Sequence, residues 1–213
     1  MGVLTLSRQS GSGGDEIARL VCEKLGYERF DKRTMAELGH ELGMSAEMVD
    51  RAASLKFSPK GLLERWFGNF PNPQTDPSGW TFQARSDARQ GISVANLMEL
   101  IEAGYKRGDV VIVGRGGMAA LQDKPDVLHV RIVAPQDLRI KRRQEWEGCS
   151  AEEAERLVKW RDVTDVEWIQ RYFDLDSHDP ALFDLIINTR KVTFEAAADM
   201  IIEAHKNVLA KGK

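Results

Sequence analysis

Residues 3–15 read V-L-T-L-S-R-Q-S-G-S-G-G-D, and this stretch decides the fold. A short apolar run stops at a glycine-rich turn, and a helical pattern follows from Glu16 through Leu25. A strand, a glycine turn and a helix in that order are the layout of a phosphate-binding loop, and a tight strand-to-helix turn that binds nothing is the other reading. Backbone N–H groups of Gly11, Ser12, Gly13 and Gly14 can face one concave nest, with the positive end of the next helix behind it. The usual form of the loop, G-x-x-x-x-G-K-[ST], has Lys after its last glycine. Here that position is Gly14, and the Ser/Thr position is Asp15, followed by Glu16. Ser10 and Ser12 add hydroxyl donors. Asp15 reaches a Mg²⁺ ion directly or through water, yet as a carboxylate it also repels phosphate oxygens. Arg8, just before the loop, is the nearest residue to supply the missing positive charge, and an exposed strand-end charge is its other reading.

Outward from the loop, four more apolar runs have the length and composition of strands: Tyr27–Phe30, Val110–Val113, Val127–Val133 and Leu185–Ile187, beside Val3–Leu6 itself. Several are apolar at nearly every position, as strands buried on both faces must be. Helical patterns separate them at Asp15–Leu25, Gly91–Gly104, Pro135–Trp146 and Phe194–Leu209, with a capping box at Ser150 and Glu153. The expected fold is α/β: three layers, a five-stranded parallel sheet with helices on both faces. Residues 32–90 break the rhythm. Lys32–Arg51 reads as helical, interrupted at Gly39 and Gly43, and the turn-rich F-G-N-F-P-N-P-Q-T-D-P-S-G-W follows at 67–80. An insert that closes over a substrate and an irregular structural loop both fit this segment.

Composition sets the outer limits. Apolar residues are 42% and charged residues 30% of 213, the balance of one globular α/β domain. The net charge of −3 gives no drive toward nucleic acid or anionic membranes. No apolar run approaches the length of a membrane span. The first strand begins at once, so a cytoplasmic location is expected, with Cys22 and Cys149 as free thiols. Oligomeric state leaves no trace in the sequence.

Two further motifs carry charge toward the loop. V-V-I-V-G-R-G-G at 110–117 delivers Arg115 at the carboxyl end of a strand, where open α/β sheets bind ligands. R-I-K-R-R at 139–143 places Arg139, Arg142 and Arg143 on one helical face, with R-D-V-T-D at 161–165 and Arg171 beyond. Such arginines suit a lid over a transferring phosphoryl group, and they equally suit a helix laced with Arg–Glu pairs. Asp31, at the end of the second strand, either holds a substrate hydroxyl or metal-bound water, or caps a helix.

The ordered segments S-R-Q-S-G-S-G-G-D-E-I-A, L-G-Y-E-R-F-D-K, V-V-I-V-G-R-G, V-L-H-V-R-I-V-A-P, R-I-K-R-R and D-P-A-L-F-D-L-I-I-N-T together resemble the cytidylate-kinase-like family. The resemblance covers nearly the whole chain. It implies a single P-loop kinase domain over 1–213, with its core at 1–31 and 91–213, a helical monophosphate-binding insert at 32–90 and a small lid at about 144–172. It implies transfer of the ATP γ-phosphate to CMP or a related nucleoside monophosphate with Mg²⁺, or a nucleotide-binding protein that kept the fold and lost turnover. In its terms Ser10 to Gly14, with Asp15 and Glu16, resemble the ATP phosphate loop. Arg115 matches an arginine that holds the monophosphate. Arg139 and Arg143 are similar to lid or adenine-side arginines, Arg161 and Asp162 to the lid R-D pair, and Asp165 to an aspartate facing the CMP sugar or base. Gly116 and Trp168 differ from the family's aspartate and arginine at their positions. Arg33 and Arg171 are the candidates to replace the missing acceptor-side arginines, and Arg8 to replace the lysine.

Overall fold

A computed structural model describes the backbone of residues 2–54 and 80–211, and the side chains of 2–54 and 93–210. The elements run β1 (Val3–Arg8), α1 (Gly14–Leu25), β2 (Glu28–Arg29), α2 (Lys32–Glu41), α3 (Ala46–Ala53), α4 (Trp80–Arg107), β3 (Val110–Val113) and α5 (Gly117–Ala120). Then come β4 (Val127–Val133), α6 (Gln136–Glu147), α7 (Ala151–Phe173), a 3-10 turn at Pro180–Leu182, β5 (Leu185–Asn188) and α8 (Phe194–Lys211).

The five strands form one sheet in the order β2-β3-β1-β4-β5, and every pair is parallel. The expected three-layer architecture is what the chain adopts. Alternation along β1 divides the core. Leu4 and Leu6 face Ile17, Val21, Ala197 and Ile201 of α1 and α8. Val3 faces the other way, into Met35, Leu38, Leu97 and Leu100 of α2 and α4. Burying each such side chain contributes roughly 1.5–3 kcal/mol. Because β1 is the central strand, the loop that follows it opens at the middle of the sheet's carboxyl edge, where β3 and β4 also end.

Several boundaries differ from the sequence reading. The second strand is cut to Glu28–Arg29, because Asp31 already caps α2: its carboxylate accepts from the N–H groups of Arg33 (2.8 Å) and Thr34 (3.0 Å). The break in 32–51 falls at Gly43, with φ of +70°, and not at Gly39. Gly39 stays helical, and a Cβ there would lie 2.3 Å from Val49 Cγ2, so it is a packing glycine between α2 and α3. Helix α4 begins at Trp80 and passes without a break through residue 90, where the insert is expected to end. The aromatic run at 67–79 lies outside the described residues. In the expected lid, α6 stops at Gly148 (φ +63°) and α7 starts on the Ser150–Glu153 capping box.

Candidate functional site

The loop between β1 and α1 is shaped by two left-handed glycines, Gly11 (φ +82°) and Gly13 (φ +88°). Ser12 N–H closes onto Gln9 O at 3.1 Å. Among the described residues, the N–H groups of Ser10, Gly11, Gly13, Gly14 and Asp15 meet no protein acceptor. These are donors an anion can satisfy at a helix N-terminus. The loop's back is braced. Arg139, 4% exposed, donates to Ser10 O (3.3 Å) and Ala134 O (3.1 Å) and forms a two-pronged pair with Asp162 at 2.9 and 2.8 Å. Arg142 donates to Ser12 O and to Thr189, and Thr189 Oγ1 itself donates to Ser12 O at 2.8 Å. Phe194 packs so close behind Gly13 that a Cβ there would sit 2.2 Å from the ring. The closing segment D-P-A-L-F-D-L-I-I-N-T thus has a structural role: its last residue holds the loop.

In front of the loop lies a cavity of about 480 Å³, lined by Arg8, Gly11, Gly14, Arg143, Arg161 and Asp165 among others. Arg143 donates to Ser10 Oγ at 3.0 Å, and Trp146, 52% exposed, stands one turn further along α6. A second cavity of about 520 Å³ opens between α3, α7 and the ends of β2 and β3. Arg8, Arg29, Arg115 and Arg161 line it, against Asp31 and Asp165, with Phe30, Trp160 and Trp168 as apolar walls. Arg8, Arg161 and Asp165 belong to both cavities, so the two spaces meet at these three side chains.

The backbone is strained where Arg115 enters. Gly114, Arg115 and Gly116 have φ of +65°, +55° and +69°, and a left-handed arginine costs on the order of 1–2 kcal/mol. The kink turns its guanidinium onto Ala53 O at 2.9 Å, at the end of α3. Burial, with Arg8 and Arg29 nearby, lowers the Arg115 pKa. Gly116 is packed under two rings, since a Cβ would lie 2.7 Å from Trp168 and 2.8 Å from Phe173. Asp165 opens to cleft water yet is crowded by protein, and desolvation raises its pKa against the pull of Arg8 and Arg161.

Arg8 explains Gly14. Its Cβ and Cγ lie 2.5 and 2.8 Å from where a Cβ on residue 14 would be. Counted back from Gly13, the first glycine of G-x-x-x-x-G-K falls on residue 8. The chain therefore has a side chain where the pattern has glycine, and glycine where the pattern has lysine. From there Arg8 runs between Asp15 (3.5 Å) and Gly114.

Not every expected residue reaches a cavity. Arg139 is spent on Asp162 behind the loop, and Asp162 lines only a smaller cavity of about 130 Å³ beside Arg8 and Asp165. Arg33 pairs with Glu37 at 3.3 Å on the surface, and Arg171 lies exposed on α7 with its guanidinium 6.0 Å from the Tyr172 ring. Ser12 is fully buried, and its hydroxyl has no partner and does not line the loop cavity. Glu16 lines that cavity's rim and pairs with Arg19. The Arg–Glu lacing is present as well, as in Arg143 with Glu147. Arg29 was missed, although an arginine at the end of a parallel strand carries the same positional signal as Arg115. No group of three His, Cys, Asp or Glu side chains among the described residues converges as a metal site. Magnesium would fit only as an ion carried on nucleotide phosphates, with Asp31 and Asp165 the cleft carboxylates in no ion pair with an arginine. No helix among the described residues is long and apolar enough to cross a membrane.

A parallel sheet with a braced glycine loop at its carboxyl edge defines a P-loop kinase fold. The chain belongs to the cytidylate kinase-like family, whose sequence pattern matches residues 3–191. Its relatives include the cytidylate kinase of Pyrococcus horikoshii, 28% identical over 190 residues that cover 89% of this chain and 80% of that one. The cytidylate kinase of Methanopyrus kandleri is 24% identical over 219 residues, covering 94% and 95%. An uncharacterized protein from Eubacterium ventriosum shares the fold at a TM-score of 0.66 and 20% identity, covering 97% of this chain and 99% of that one. These likenesses make the protein a nucleotide kinase-like protein.

Proposed function

We propose that the protein transfers the γ-phosphate of ATP to a nucleoside monophosphate, CMP or a close relative. The observation that carries this reading is the junction of two cavities at Arg8, Arg161 and Asp165. The donor's phosphates take the free N–H groups of Ser10 to Asp15, flanked by Arg143. The acceptor's phosphate takes Arg115 in the second cavity. An oxygen of that phosphate attacks the γ-phosphorus, the bond to the bridging β-γ oxygen breaks, and ADP leaves. Arg8 and Arg161 supply positive charge where the transferring group carries it, in place of the loop lysine. Magnesium bound with the nucleotide would supply further positive charge against the phosphates. Arg139 and Asp162 serve as positioning residues that hold the loop.

A second reading has its own support: Arg8 already has a carboxylate partner, Asp15. In that reading the protein binds nucleotide and does not turn over. A panel of nucleoside monophosphates with ATP and Mg²⁺, followed by ADP release, separates the two. Transfer to CMP or another pyrimidine monophosphate is the expected result. ATP binding without turnover on any acceptor sinks the kinase reading.

A further inference from the structure

A carboxylate at the mouth of a phosphate loop works against the ligand, yet Asp15 is held there. Arg29 Nη2 reaches it at 2.5 Å and Arg8 Nε at 3.5 Å. Both arginines line the acceptor cavity, and Arg8 lines the loop cavity too. Both also lie close enough to Arg115 to depress its pKa. Without Asp15, the Arg8 and Arg29 guanidiniums would lose the carboxylate that pairs with both, leaving only Asp31 and Asp165 to balance the arginines of the cleft. The Asp15 side chain is 58% exposed, so this is a pair that an entering anion can break and not a buried structural ion.

We propose that Asp15 is the site's own stand-in for phosphate, parking Arg8 and Arg29 in the ligand-free protein and yielding Arg8 when a polyphosphate enters the loop. The inference rests on the reading of this loop as a phosphate site. It makes Asp15 a specificity-determining residue. A chain of phosphates has enough contacts along the free N–H groups to displace the carboxylate. A lone orthophosphate does not, so free phosphate is kept from the arginines.

The test is direct binding by calorimetry to the full chain without metal, using tripolyphosphate and orthophosphate as probes. Asp15→Asn and Asp15→Ser should each tighten tripolyphosphate about tenfold and orthophosphate at least as much, by removing like-charge juxtaposition. Asp15→Glu keeps the charge and should bind as the parent does. Measurable binding with no gain in the neutral variants overturns the inference alone. So does a pattern in which Asp15→Asn weakens Mg·ATP and leaves metal-free tripolyphosphate unchanged, which is the signature of a metal ligand. Absence of tripolyphosphate binding in every protein overturns the phosphate reading of the loop, and this inference with it.

Discussion

Arg115 is held in a left-handed conformation between two glycines, and the strain has a readable purpose: it carries the guanidinium into the cleft beside Arg8 and Arg29. Arg115→Ala should raise the monophosphate KM or lower kcat by about tenfold, read from steady-state kinetics. Unchanged kinetics would take Arg115 out of the site. Arg8→Ala should lower both ATP affinity and rate, since its side chain is common to the two cavities. At this scale the sequence was legible only where position alone fixes chemistry. Arg115 at a strand's end, and the glycines of the loop, could be read directly. Arg139 could not. An arginine in R-I-K-R-R looks solvent-exposed, and nothing local reveals that Asp162, on the next helix, will take it out of water.

Helices α6 and α7 form one wall of the site, and the Arg139–Asp162 pair ties that wall to the loop through Ser10. Removing one partner of a nearly buried pair leaves an uncompensated charge. Asp162→Ala should therefore cost about 3 kcal/mol in denaturant unfolding. Adding Arg139→Leu to that variant should recover part of the loss, because the stranded charge is gone. The lid's capping box was plain in the sequence, since S-x-x-E is a local signal. Of the two interruptions expected in 32–51, the one at Gly43 is real, and the one at Gly39 was misread for the opposite reason. Only the neighbouring helix, through Val49, shows that this glycine serves close packing. The start of α4 at Trp80 was equally hidden, because a turn-rich composition precedes it without marking where the helix nucleates.

Stability of the whole molecule carries a pH signature. His129 accepts or donates a 2.7 Å hydrogen bond with Thr5 and His205 one of 3.1 Å with Tyr27, and burial lowers both pKa values despite nearby Asp184 and Asp109. On unfolding each returns to its ordinary value of 6.5, so the unfolded chain takes up protons that the folded one refuses. The stability is thus complete above that value and is lost progressively below it, until the lowered folded values are reached. Urea midpoints should fall between about pH 7.5 and about pH 5.5, and His129→Gln with His205→Gln should flatten the slope. The five parallel strands and their helical cover were legible from buried apolar runs separated by helical patterns, but the strand order was not. Nor was the meeting of distant arginines, because it exists only once five strands bring their carboxyl ends to one edge.

The contact between Arg8 and Gly14 has a consequence for substitution. The near atoms of Arg8, not its mobile tip, occupy the space of a side chain at residue 14. A side chain at residue 14 therefore requires Arg8 to shift or to be replaced. Gly14→Lys alone, though it rebuilds the commoner motif, should weaken ATP binding, whereas the same change together with Arg8→Gly should bind better than either single variant. A double variant that binds ATP no better than Gly14→Lys alone would show that the two positions are not coupled.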